Sequence, residues 1–305
     1  MLDVCLLGTG GMMPLKNRKL TSFLARYNGH CVLIDCGEGT QVAIKEAGFT
    51  FKPIDIICFT HFHADHISGL PGLLLGMGNE GRIEPVTMIG PKGLKKVVNS
   101  LRIIAPELPF DIDFLEIDSD EPVAFDGFSI IPFPVKHKIT CFGYAIEIKR
   151  KGKFMPERAK ELEIPVHLWK VLQNGESVTV HDRVIESSEV LGKERKGFKV
   201  VYCTDTRPTD SIWQAARHSD LLVCEGMFYD EEKHQRAKET GHMMYAEAAY
   251  TALRAETKEL WLTHFSPAVV RPEEGIEVAR AEFQNTKVGV DGMMRTLKFE
   301  DEVEK

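Results

Sequence analysis

The chain has 305 residues, of which 43% are hydrophobic and 27% charged, with a formal net charge of −7. That length can bury one large α/β core or two small ones, and the composition is that of an ordinary globular chain. The acidic balance argues against indiscriminate nucleic-acid binding through global charge while leaving room for a local basic patch, and no apolar run approaches the ~20 residues that span a bilayer. Met1 opens a strand-like segment instead of a basic stretch followed by an apolar one, so no secretory signal is expected. The seven cysteines (Cys5, Cys31, Cys36, Cys58, Cys141, Cys203 and Cys224) are scattered, and none forms CxxC. Most lie in apolar strand-like segments, which reads as buried reduced thiols of a cytoplasmic protein.

In chain order, residues 4–7 predict a strand that ends in Gly8-Thr9-Gly10-Gly11, a loop where backbone can approach a ligand closely. A basic loop with Lys16 and Arg18 follows. Residues 21–27 and 31–35 predict a hairpin around Asn28-Gly29. Next comes Asp35-Cys36-Gly37-Glu38-Gly39, whose carboxylates can orient neighbouring histidines, and then a helix over 40–47. Residues 54–59, apolar except for Asp55, predict a strand buried on both faces. It delivers His61, His63, Asp65 and His66 directly before a Gly/Pro-punctuated apolar helix. A polar cluster after a core strand and before a helix is where open α/β layers hold ligands. Alternation lets His61 and His63 face one way and grip one ion, with Asp65 and His66 left for a second.

Further on, 86–90 predict a strand and 91–104 a helix that starts at Pro91. Residues 114–117, 128–135 and 142–148 are further strands, and His137 stands at the end of the second of these. The run Lys149-Arg150-Lys151-Gly152-Lys153 opens a charged region of weaker core patterning, expected to be an inserted, protruding arm at about 150–197 within one domain. Strands over 198–203, 221–224 and 260–263 end near Asp205, Glu225 and His264. Helices are expected over 245–255 and 272–283, a last strand over 294–299, and a frayed acidic tail from Glu300. Strand ends thus repeatedly present His or Asp. His61, His63 and His137 suit one divalent ion, and Asp65, His66 and His264 a second, with Asp205 between them.

The motif His61-Phe62-His63-Ala64-Asp65-His66 resembles the signature of the metallo-β-lactamase superfamily. Within it, the chain resembles the ribonuclease Z family of tRNA 3′-processing endonucleases. That resemblance is carried by LLGTGGMMP, IDCGEGTQ, THFHADHISGLPGLL, FGYAIE, CTDTRP, GHMM and LTHFS, and it spans nearly the whole length. It implies a four-layered αβ/βα sandwich with the metals at one edge of two sheets. It also implies a homodimer in which an arm of one subunit serves tRNA bound to the other. There are three departures. Lys19 replaces the Asn of a PxKxRN loop; Ile164-Pro165-Val166 stands where an arm Gly-Pro is expected; Met243-Met244 replace Ser-Thr. They leave the metal ligands untouched and bear on the substrate.

The reaction so implied is hydrolysis of an RNA phosphodiester with two divalent ions, Zn²⁺ first and Mn²⁺ as a substitute. Asp65 would act as general base, His242 as donor toward the leaving oxygen, and Glu225 as the residue orienting His242. Lys16, Arg18, Lys149, Arg150, Lys151 and Lys153 are the candidate phosphate contacts. The alternatives are a phosphodiesterase acting on a small or cyclic nucleotide, or a hydrolase of a lactone, lactam or thioester. A di-iron redox relative would carry Glu in place of His63, and a non-enzymatic relative would have lost some of the ligands.

Overall fold

The computed structural model describes residues 1–299, so the tail expected from Glu300 lies outside the described residues. The described residues separate into two compact units, Met1–Glu147 with the chain from Lys199 onward, and Ile148–Phe198.

The first half of the larger unit runs β1 (Leu2–Gly8), β2 (Ser22–Tyr27), β3 (His30–Ile34), α1 (Thr40–Glu46), β4 (Ile54–Cys58), α2 (Ala64–Ile67), α3 (Leu70–Asn79), β5 (Val86–Pro91), α4 (Leu94–Leu101) and β6 (Ile112–Ile117). Then come β7 (Val123–Phe125), β8 (Phe128–Val135) and β9 (Cys141–Arg150). The smaller unit contributes α5 (Pro156–Glu161), α6 (Trp169–Gln173), β10 (Val178–Val180) and β11 (Arg183–Ile185). The chain continues through β12 (Arg195–Cys203), α7 (Asp210–Ala216), β13 (Leu221–Glu225), α8 (His234–Thr240), α9 (Tyr245–Arg254), β14 (Leu260–Thr263), α10 (Ile276–Glu282), β15 (Thr286–Val288) and β16 (Met293–Leu297).

Two seven-stranded sheets result, in the orders β16-β1-β2-β3-β4-β5-β6 and β15-β14-β13-β12-β9-β8-β7. β3, β4, β5 and β6 are parallel, as are β12, β13, β14 and β15. Parallel strands are covered on both faces, and these read accordingly: β4 is buried except at Asp55, and β13 throughout. Cys5, Leu7, Leu33 and Ile57 pack outward against Ile44 of α1, Leu73 and Leu74 of α3 and Val98 of α4. Val201, Leu222 and Leu262 pack outward against alanines of α7, α9 and α10. Small alanines let those helices lie close to the sheet. The two sheets meet through their inner faces, where Phe23 and Tyr202 stack at 5.4 Å. Tyr144 Oη also donates to the Phe59 carbonyl at 2.7 Å, tying β9 to the end of β4. This is the expected four-layered αβ/βα sandwich.

Asn28 and Gly29 adopt φ of 50° and 88°, the left-handed pair a two-residue hairpin needs. The expected helix start at Pro91 is corrected. Pro91 is the last residue of β5, paired with Ile117, and the helix begins after the left-handed Gly93. The helix expected over 272–283 opens as a single 3₁₀ turn, Pro272–Gly275, before α10. The smaller unit has an apolar centre of its own, built from Ala159, Ile164, Leu172, Val178, Ile185 and Val190, where the sequence suggested weaker patterning. Its α6 was not foreseen, and Trp169 at its start donates to the Ile164 carbonyl at 3.0 Å.

Phe23 is fully buried. Phe23→Ala should therefore lower stability by roughly 3–5 kcal/mol, read as a lower urea midpoint at unchanged slope.

Candidate metal centre

Strand ends deliver the cluster. β4 stops at Cys58, the chain carries His61 and His63 past its end, and the single turn of α2 brings Asp65 and His66 round. His137 follows β8, Asp205 follows β12, Glu225 is the last residue of β13, and His264 follows β14. Asp35, Asp205 and His264 turn the chain out of their strands with left-handed φ of 61°, 55° and 56°. Asp and His tolerate that region better than most residues.

Asp205 lies at the centre. Its Oδ1 is 3.8 Å from both His61 Nε2 and His137 Nε2, and its Oδ2 is 3.0 Å from His66 Nε2 and 3.1 Å from His264 Nε2. Asp65 Oδ2 sits 3.7 Å from His66 Nε2 and 3.5 Å from His264 Nε2. His63 Nδ1 is 2.9 Å from His61 Nε2. Donor atoms of His61, His63, His137 and Asp205 lie within 4.8 Å of one another, and so do those of Asp65, His66 and His264. An overlapping set joins Asp205, His242 and His264.

The residues fit divalent cations on two observations. First, His66 Nε2, Asp205 Oδ2 and both ring nitrogens of His264 are buried without a hydrogen-bond partner. Three of these atoms, His66 Nε2, His264 Nε2 and Asp205 Oδ2, converge on one point, and such a group is costly unless it ligates. Second, Asp35, Asp205 and Glu225 are buried carboxylates with Asp65 beside them, a concentration of negative charge that cations must offset. Burial pushes the His61 imidazole down to about 2, which keeps it in the neutral, ligating form. At His66 burial acts the same way, but Asp205 and Asp35 outweigh it and raise the ring well above its usual value. The pocket draws positive charge to that point.

Asp35 holds the frame. Its carboxylate accepts from the Thr60 amide at 2.8 Å, from Thr60 Oγ1 at 2.9 Å and from His66 Nδ1 at 2.8 Å, so His66 presents Nε2 to the cluster. Glu38, expected to share this task, is exposed, and among the described residues it makes no hydrogen bond to a cluster histidine. Glu225 Oε2 takes His242 Nδ1 at 2.9 Å, and Oε1 accepts from the Thr206 amide. His242 is buried in the loop between α8 and α9. Burial lowers its pKa and Glu225 more than reverses this, to about 9. Arg207 ties this loop down, donating to the His242 carbonyl at 2.5 Å and pairing with Glu247 at the start of α9. Two glycines admit the close approach. A Cβ on Gly11 would stand 2.6 Å from His264 Cε1, and one on Gly37 would stand 2.3 Å from the Asp65 carbonyl.

Of the basic residues expected at phosphate, Lys16 is exposed. The Arg18 guanidinium is instead engaged by the loop after His264, donating to the Val269 carbonyl at 2.9 Å and the Val270 carbonyl at 3.1 Å. Lys149, Arg150, Lys151 and Lys153 belong to the smaller unit, where the Lys151 ammonium donates to the Asn174 carbonyl. The sequence reading missed Met12, Lys138, Met227, Phe228, Arg236 and Thr240, which line a cavity of about 320 Å³ with the cluster. Lys138 adjoins His137 and could have been flagged. Arg236 could not, because α8 carries no strong apolar period.

A phosphodiester or acyl group could be polarised in such a cavity. The fold and the metal cluster together define a metallo-β-lactamase-fold protein, and a profile described as a β-lactamase superfamily domain matches residues 169–265. A second, described as Anti-Pycsar protein Apyc1, matches residues 2–157. Ribonuclease Z of Agathobacter rectalis is 56% identical over 99% of this chain and 100% of its own length. Ribonuclease Z of Lachnospira eligens is 53% identical, with the same coverage of 99% and 100%. The crystal structure of the short form of human tRNase Z superposes with a TM-score of 0.70 at 24% identity, covering 97% of this chain and 100% of that one. The chain belongs to the ribonuclease Z family. No helix among the described residues is long and apolar enough to cross a membrane.

Asp35→Asn should weaken divalent-metal affinity by about 10–100-fold. Competition with a chromophoric chelator measures this, with circular dichroism confirming an unchanged fold.

Proposed function

We propose that this chain is a binuclear-metal phosphodiesterase that removes 3′ trailers from tRNA precursors. What supports this above all is full-length identity of 56% to a ribonuclease Z, in a chain whose strand ends gather seven His and Asp donors. In this reading His61, His63 and His137 hold one ion, and Asp65, His66 and His264 hold the other. Asp205 would serve as a ligand as well, with zinc the metal expected and manganese its substitute. Such ions supply Lewis acidity toward the phosphoryl oxygens and lower the pKa of an attacking water.

The chain's own groups handle the protons. Asp65 Oδ2 accepts the Met12 amide at 2.7 Å, which leaves Oδ1 to take a proton from the water as it attacks phosphorus. Glu225 raises the His242 imidazole and binds it through Nδ1, which leaves Nε2–H of this cavity residue as the donor to the leaving 3′-oxygen. The phosphorus–O3′ bond breaks. The tRNA body keeps a 3′-hydroxyl and the trailer leaves with a 5′-phosphate. Lys16, Lys149, Arg150 and Lys153 are assigned to the tRNA backbone, and Arg18 to positioning the His264 loop. Residues 148–198 act as the arm of a cytoplasmic homodimer.

The test is cleavage of a tRNA precursor with a 3′ trailer, beside bis(p-nitrophenyl) phosphate and a lactam. Cutting at the trailer junction should fall about 10²–10⁴-fold in Asp65→Ala and weaken as salt rises. Turnover of the small diester without precursor cleavage would assign the site to another phosphodiester. His264→Ala should lower bound zinc from two ions per chain toward one by elemental analysis. Loss of both ions would refute the ligand division given above.

A further inference from the structure

The cavity beside the metal cluster has two unlike walls. One is cationic. Lys138 follows His137 directly, and Arg236 stands on α8 with Thr240 one turn further on. Lys138 and Arg236 are both exposed, and among the described residues neither has a carboxylate partner. They are the charged side chains of the cavity that the cluster does not engage.

The other wall is apolar, made by Met12, Met227 and Phe228. Met12 is 58% exposed and takes a left-handed φ of 70°, where a long side chain seldom settles. Its amide holds Asp65 Oδ2, but glycine would supply the same hydrogen bond without steric cost. The side chain therefore calls for a reason of its own. A backbone outlier beside reacting groups points to function, and an exposed thioether lining this cavity is a soft, adaptable surface for a flat ring.

We propose that this cavity is a subsite for one nucleotide adjoining the scissile bond. Lys138 and Arg236 hold its further phosphate, and the exposed Met12 side chain covers its base. The inference rests on the phosphodiesterase reading above and adds what lies next to the cut. At about 320 Å³ the cavity is at the small end of ligand sites, suited to a single nucleotide and too small for a duplex. Stacking on an apolar platform tolerates any base, so the subsite reads the presence of a base and a charge more than sequence.

The experiment uses the full-length metal-loaded enzyme and precursors altered at one nucleotide, on each side of the cut in turn. One alteration makes the neighbouring phosphate a neutral methylphosphonate; the other removes the neighbouring base. On one and the same side, each should lower kcat/KM of the wild type roughly tenfold. In the Lys138→Ala/Arg236→Ala double variant the methylphosphonate penalty should vanish while the abasic penalty persists. In Met12→Gly the reverse should hold. A variant that is merely damaged lowers all substrates alike, and that pattern overturns the proposal, as does a wild type indifferent to both alterations. If the wild type cuts no precursor, the tRNA reading fails. The subsite is then judged on p-nitrophenyl diesters of a nucleoside with and without a flanking phosphate. There the wild type must prefer the charged ester and the double variant must not.

Discussion

A single buried carboxylate organises this molecule. Asp205 faces His61 and His137 with one oxygen and His66 and His264 with the other. Those rings come from the ends of β4, β8 and β14 and from the turn of α2, so two sheets must bring four rings to within 3.8 Å of one carboxylate. Removing such a group from water is prohibitive without compensating charge. The same cost makes the site specific, because an arrangement that misplaces one ring leaves a buried charge uncompensated. The parallel register of β12, β13 and β14 meets this need. It puts Cys203 beside Cys224, so that Asp205 and Glu225 emerge at the same end.

Around that carboxylate the protein spends further buried polar groups on orientation. Asp35 fixes His66 and Thr60, Glu225 fixes His242, and Arg207 with Glu247 fixes the loop carrying His242. Arg18 belongs with these. Its guanidinium lies over the Phe265 ring and bonds carbonyls of the segment that follows His264. A basic residue in a loop near an anionic substrate invites a phosphate contact, yet here the planar guanidinium fork serves two carbonyls while lying over a ring, a geometry the compact lysine ammonium does not match.

Much of this architecture is legible in the sequence. The cluster residues stand next to apolar runs of strand length, and a polar residue following such a run is placed at a sheet edge whatever the detailed topology. Where the reading failed, local signals competed. Pro91 looks like a helix start, but the backbone pairing with Ile117 extends β5 through it. The helices α6, α7 and α8 are too short for a period to emerge, and β15 is a three-residue edge strand. The cavity walls were invisible for a different reason. Lys138, Arg236 and Met12 come from three segments distant in sequence, and only the assembled sheets bring them to one opening.

Left-handed backbone at Asp35, Asp205 and His264 narrows how this centre can change over evolutionary time. Donor chemistry alone would allow glutamate or cysteine at such positions. The turns favour a short carboxylate or an imidazole and resist longer or softer donors. His63, with ordinary extended φ and ψ of −68° and 151°, carries no such restriction. A lineage that shifts its metal preference would therefore exchange ligands within the segment after β4, while the residues at the strand turns stay as they are.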